Sequence, residues 1–153
     1  MKQIEIGATE LGLLSRMLRK VEFFTPLTTG QLDRVLPSIM LYAYDRGETV
    51  FSQGRKGDAF YIIYKGSVDI RLKEWVVLSK KIATLKAGEF FGEIALTSDE
   101  PRTASVVAAE PTLLFTLIAD DFKFVLNENP GAAEEMKRIG ARRKFASDHK
   151  AAS

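Results

Sequence analysis

Between about residues 41 and 118 the apolar residues of this chain stop recurring every three or four positions and recur every second one, which sharply limits the folds available to it. The change is clearest at Val68, Ile70 and Leu72, which alternate with Asp69, Arg71 and Lys73 and so describe a half-buried strand. Further strands are predicted across 49–52, 59–64, 75–85, 103–109 and 112–118. They are separated by turn residues that include Gly47, Gly54, Gly57, Gly66, Gly88 and Pro111. Strands this short and this regularly punctuated fit a barrel, a roll or a sandwich.

Helical spacing brackets this region. Leu11, Leu14, Leu18 and Val21 lie on one stripe, and Thr28 with Gln31 has capping-box spacing ahead of Leu32, Val35, Leu36 and Ile39, in a helix that ends near Pro37. Phe23, Phe24 and Trp75 are expected to pack rather than to carry chemistry. Beyond Ile118, Asp120 and Asp121 suit a helix start, with Phe122, Val125 and Leu126 on one face. Asn129, Pro130 and Gly131 break that helix, and a last one is expected from Ala132 to about Lys144. The boundaries read 1–40 for the N-terminal helices, 41–118 for the β unit, 119–145 for hinge and last helices, and 146–153 for a flexible tail.

With 153 residues and 46% hydrophobic content the chain supports one domain with a proper core. No apolar run approaches the roughly 20 residues of a membrane span, and residues 1–9 lack the apolar stretch of a signal peptide. Zero cysteines exclude disulfides, thiol catalysis and cysteine zinc sites and fit a reducing compartment, so a cytoplasmic location is expected. The net charge of +2, from 22 basic and 20 acidic residues, argues against a nucleic-acid partner. The local basic excess at Lys137, Arg138, Arg142, Arg143 and Lys144 reads as the solvated face of a helix. The one histidine, His149, falls in the expected tail, and neither a phosphate loop with lysine nor metal-ligand spacing occurs. No catalytic residue, metal or cofactor is therefore expected. No helix-turn-helix pattern follows the last helix, so DNA reading is not expected either.

One stretch carries chemistry: Phe91-Gly92-Glu93-Ile94-Ala95-Leu96, then five residues, then Arg102-Thr103-Ala104. Gly92 lets backbone approach a ligand closely, and a short helix from Glu93 would aim unpaired N–H groups outward, as phosphate sites do. Arg102 offers a permanent planar cation, and Thr103 a hydroxyl beside it. Glu93 does not suit a phosphate but accepts a hydrogen bond from a ligand hydroxyl. A ribose cyclic phosphate with an apolar base meets these demands together.

Residues 91–96 and 101–104 closely resemble the phosphate-binding cassette of the cyclic nucleotide-binding domain family, found in bacterial regulators, cyclic-nucleotide-dependent kinases and gated channels. Gly47-Glu48, Gln53-Gly54 with Gly57-Asp58, and Phe60-Tyr61-Ile62-Ile63 leading to Gly66 match that family's β-roll signatures in order and spacing, so the resemblance runs over about residues 11–143. It implies an α+β, mainly β fold: an antiparallel β-roll (a double-stranded β-helix, jelly-roll-like) flanked by N-terminal and C-terminal helices, with the cassette at 90–105. It also implies that Glu93 holds the ribose hydroxyl and Arg102 the cyclic phosphate. Backbone of Gly92, Ile94 and Ala95 completes the cradle, with Phe91 and Ala104 beside it. Thr103 corresponds to a position whose hydroxyl meets guanine in some members, which permits cGMP without excluding cAMP. Met136, Ile139 and Arg143 match lid positions over the base, and Val68, Ile70, Leu72 and Val77 are looser candidates for its apolar wall. The implied function is regulatory and not enzymatic: binding cAMP, the first expectation, or cGMP, with base choice open, and moving helices to signal an effector protein or domain. Homodimerisation through the last helix remains an open use of Met136 and its basic neighbours. The alternative is a β-roll with a degenerate pocket that serves as an interaction module.

Overall fold

Strand alternation buries both faces of the central strands. In the computed structural model, which describes the backbone of residues 1–75 and 78–152 and the side-chain surroundings of 1–73 and 79–142, the chain runs β1 (Lys2–Ile4), α1 (Ala8–Lys20), α2 (Thr29–Val35), β2 (Met40–Tyr44), β3 (Thr49–Phe51), β4 (Ala59–Lys65), β5 (Ser67–Trp75), β6 (Leu78–Lys86), β7 (Phe90–Phe91), β8 (Ser105–Ala108), β9 (Thr112–Ile118), α3 (Lys123–Glu128) and α4 (Pro130–Ala152). Single 3₁₀ turns lie at Glu22–Phe24, Leu36–Ser38, Glu93–Leu96 and Ala119–Phe122. The strands form two antiparallel sheets, ordered β1-β2-β9-β4-β7 and β3-β8-β5-β6. Their inner faces enclose a roll, and the helices cover the outer face of the first sheet.

β4 shows how period two serves both layers. Phe60 and Ile62 point into the helical cluster, with Leu14, Leu18, Phe24, Phe122 and Met136, while Ala59, Tyr61 and Ile63 point into the roll with Phe91, Val106 and Leu114. Phe24 is the hinge pin of the helical layer. Its ring meets Phe60 edge-on at 5.1 Å and lies 5.6 Å from Phe122 and 5.8 Å from Phe23. Each such ring contributes about 1.5–3 kcal/mol by leaving water.

Local signals place the helix ends. The Thr28 hydroxyl accepts from the Gln31 amide at 3.1 Å and the Gln31 side chain accepts from the Thr28 amide at 3.0 Å, so the capping box is closed. Asn129 ends α3, and its side chain accepts from the Ala132 amide at 3.1 Å, so the predicted break is one residue wide. Pro130 opens α4, two positions before the expected start, as suits proline in a first helical turn. At its other end α4 continues to Ala152, so its backbone takes in residues 146–152 that composition assigns to a tail. Trp75 closes β5 instead of opening the following strand. β1 has too few residues to show a period, and only its pairing with β2 makes it a strand.

Gly47, Gly54 and Gly66 all adopt positive φ, as turn chemistry requires, but for different stakes. At Gly66 (φ +93°) a Cβ would lie 2.5 Å from Thr112 Oγ1 and 2.6 Å from the Pro111 carbonyl, whereas at Gly47 (φ +85°) it would meet nothing within 4 Å. Gly47→Ala is expected to cost about 1 kcal/mol of conformational energy and Gly66→Ala clearly more, about 2–4 kcal/mol. Thermal unfolding of both variants checks this; equal melting temperatures would remove steric contact from the account of Gly66.

Candidate ligand-binding site

β7 delivers the chain to Gly92, whose left-handed backbone (φ +80°, ψ 13°) turns it into the 3₁₀ turn Glu93–Leu96. That turn carries Glu93, which is only 6% exposed, at its first position. The glycine is required by space as well as by φ. A Cβ there would lie 3.0 Å from the Ala59 carbonyl, 3.0 Å from Arg102 Nη1 and 3.4 Å from the Tyr61 ring. The cassette thus lies directly against the start of β4.

Arg102 reaches the same point from the loop before β8. Its amide donates to the Arg55 carbonyl at 2.7 Å and its carbonyl accepts from the Gly54 amide at 2.8 Å, while the Gln53 amide donates to Ser105 Oγ at 2.9 Å. The turn after β3 therefore grips the backbone on which the arginine sits. The side chain folds inward: Nη2 donates to the Ala59 carbonyl at 2.7 Å, Nη1 to the Gly92 carbonyl at 3.3 Å, and the guanidinium lies over the Phe51 ring, 4.0 Å from its centroid.

Arg102 is 7% exposed, and its Nε is buried without a hydrogen-bond partner. The Asp58 carboxylate lies 3.9 Å away, at the outer limit of an ion pair, and is itself 82% exposed. Burial pulls the arginine pKa below its ordinary value, while Tyr61, Asp58 and Glu93 push it back up. The group stays cationic. Two carbonyl dipoles, through hydrogen bonds, and the quadrupole of a ring face stabilise this charge, but they supply no counter-charge. A buried N–H left unpaired costs about 1–3 kcal/mol, which an anionic oxygen at Nε would recover. The donor set fits a phosphate. The Thr116 hydroxyl is a second buried, unpartnered polar group; its cross-strand neighbour is Tyr61, on the roll-facing side of the same sheet.

The expected site residues do not all come together. Phe91, Gly92, Glu93, Ala95 and Arg102 are brought together: Phe91 is buried and stacks on Tyr61 at 5.0 Å and 15°, and Ala95 and Arg102 both close on Gly57. Ile94 and Ala104 are half-buried on the rim, and Thr103 is exposed at a bend. Met136 and Ile139 are not at the roll. They are buried in the helical cluster with Leu96, Phe23 and Phe122, because the apolar face of α4 packs against that layer. The Arg143 side chain lies outside the described residues, as does Val77. Val68 and Ile70 do line the roll, while Leu72, beyond a register shift in β5, is half-buried and belongs to neither cluster.

Phe51, Gly57 and Tyr61 complete the site and are not singled out by residue type. The period of two places Tyr61 opposite Phe60, but β4 is apolar on both faces and only packing shows that Tyr61 faces the roll. No comparable signal marks Phe51.

Gly92→Ala is expected to lower stability by about 1–3 kcal/mol, through strained φ and displacement of the arginine. In a domain of this size that is a melting-point loss of roughly 2–4 °C per kcal/mol. An unchanged melting curve would contradict the close approach of cassette and β4.

The chain is similar to known proteins. The family model described as the cyclic nucleotide-binding domain matches residues 42–129, 88 of the chain's 153. A cGMP-dependent protein kinase of Eimeria tenella is 33% identical over 105 residues, 69% of this chain and 10% of that protein. A cAMP-dependent protein kinase regulatory subunit of Mycosarcoma maydis is 34% identical over 109 residues, 71% of this chain and 21% of that protein. The chain therefore spans only a small part of the length of these relatives. Among solved structures, the regulatory domain of Toxoplasma gondii PKA with cAMP superimposes with a TM-score of 0.73 at 23% identity, over 88% of this chain and 51% of the other. The matched span takes in the roll, the Glu93–Leu96 turn and Arg102, and on that evidence this protein belongs to the cyclic nucleotide-binding domain family.

Proposed function

We propose that this domain binds a cyclic nucleotide, cAMP ahead of cGMP, and regulates an effector protein or domain outside the chain instead of catalysing a reaction. The observation that carries this reading is the buried guanidinium of Arg102 with its unpartnered Nε, set against the Gly92 cradle and the buried Glu93. Arg102 takes the cyclic phosphate, Glu93 accepts from the ribose hydroxyl, and backbone of Gly92, Ile94 and Ala95 borders the ligand. Thr103, the candidate contact to a guanine, is exposed at a bend, and its hydroxyl permits cGMP without excluding cAMP. The lack of cysteine is consistent with work in the cytoplasm.

Transmission is supported by packing. The cassette turn ends in Leu96, which is buried among Phe122, Val125, Met136 and Ile139 of the C-terminal helices. A Cβ on Gly140 of α4 would lie 4.0 Å from Ile94 Cγ1. Ligand that pulls the turn toward Arg102 moves a side chain on which α3 and α4 rest. Met136, Ile139 and Arg143 act in this proposal as the segment that rearranges over the base. A shift occurs only to the extent that ligand prefers one arrangement over the other.

Calorimetric titration with cAMP, cGMP and 5′-AMP tests the binding. A cyclic nucleotide is expected to bind with 5′-AMP much weaker, and Arg102→Ala to lose about 2–5 kcal/mol, roughly 30- to 5,000-fold, without unfolding. Absence of binding by both cyclic forms would overturn the reading and leave a β-roll interaction module. Amide exchange over residues 119–145 tests transmission: it is expected to change on saturation with ligand, and an unchanged pattern would refute movement of these helices.

A further inference from the structure

The plane of the Arg102 guanidinium is held from one side by a single ring. Phe51 lies 4.0 Å from its centre, closer than the other cation–π contacts among the described residues, Arg34 over Phe124 at 5.1 Å and Lys65 over Tyr64 at 5.2 Å. Phe51 is itself wedged 5.9 Å from the rings of both Tyr61 and Phe91, which stack on each other. Phe51 comes from β3 in one sheet, Tyr61 and Phe91 from β4 and β7 in the other, so the platform under the arginine bridges the roll. A register shift between Thr49 and Phe51 re-aims this side chain, and Val50 and Phe51, adjacent in sequence, both pack against the roll interior.

We infer that Phe51 is a positioning residue for the ligand's phosphate: it fixes the plane of Arg102 so that the Nε–H edge meets one particular exocyclic oxygen of a cyclic phosphodiester. The inference rests on the reading of Arg102 as the phosphate contact. Nη1 and Nη2 each place one N–H on the Gly92 and Ala59 carbonyls and keep a second, whereas Nε has a single N–H and no partner for it. Those two bonds anchor one edge of the guanidinium, and the ring face sets its tilt. An aliphatic side chain at 51 would fill the space but offer no quadrupole to the cation, so the plane would be free to rock about that edge. The two exocyclic oxygens of a cyclic phosphate are stereochemically distinct, and sulfur in place of one of them is a poor hydrogen-bond acceptor. The affinity ratio between the two phosphorothioate diastereomers therefore reports the tilt of the guanidinium, independently of how stable the fold is.

The experiment titrates the parent, Phe51→Leu and Phe51→Tyr with both phosphorothioate diastereomers of cAMP, with thermal unfolding in parallel. The parent is expected to separate the diastereomers by roughly tenfold or more, Phe51→Tyr to keep that ratio, and Phe51→Leu to compress it to about threefold or less. If Phe51→Leu does not fold, Phe51→Met, with its adaptable unbranched chain, takes its place. A Phe51→Leu protein that melts earlier and binds both diastereomers more weakly by the same factor would show a merely structural ring and overturn the inference. A parent that binds cAMP without distinguishing the diastereomers would overturn it too, while leaving the proposed function standing. A parent that binds no cyclic nucleotide would overturn both.

Discussion

β4 is buried on both faces, and every part of the molecule with a chemical role is fastened to it. Its odd-numbered residues Ala59, Tyr61 and Ile63 face the roll, and its even-numbered residues Phe60 and Ile62 face the helices. The Ala59 carbonyl takes the arginine, Tyr61 stacks on the last residue before the cassette glycine, and Phe60 meets Phe24 in the helical layer. Because side-chain direction in a strand has a period of two, a slip of one residue in the β4–β9 pairing would exchange these sets and dismantle site and helical layer together. Because both faces are apolar, the shapes packed on each side fix this register more than hydrophobicity does.

Against this rigid strand the cassette is held in a conformation that folding alone does not favour. Gly92 adopts a left-handed backbone, Arg102 brings a full charge into a place with 7% exposure, and its Nε has no acceptor. The buried charge and its unpaired Nε cost free energy that the surrounding core offsets, and unmet bonding capacity at one spot is the physical signature of a site that expects a partner. The charge is the most telling of the three. Its ion pair with Asp58 is 3.9 Å long and faces solvent, and Glu93 adds a buried carboxylate to its surroundings.

The same turn that forms the cradle also closes the helical core. Glu93 and Ala95 belong to the cassette side, while Leu96 is buried among residues of the C-terminal helices. One short turn thus joins the cassette to the helical cluster, and close-packed interiors pass small displacements on because they have little free volume to absorb them. α4 rests its apolar face, Met136 and Ile139, on that shared layer.

The amino-acid sequence by itself determined the features that depend on neighbours along the chain. These are the strand period at Val68, Ile70 and Leu72, the positive-φ turns at Gly47, Gly54 and Gly66, the capping box of Thr28 and Gln31, and the spacing that sets Arg102 ten residues after Gly92. Tertiary structure alone decided what depends on register and packing. β1 exists only as a partner of β2, and α4 runs past residues whose composition suggests a tail. Met136 and Ile139 pack in the helical layer, and Phe51 lies under an arginine distant from it in sequence. The reason is that helix and turn signals are written in backbone preferences a few residues long. The bond from Arg102 to the Ala59 carbonyl, by contrast, closes a separation of 43 residues, and only the pairing of whole strands can specify it.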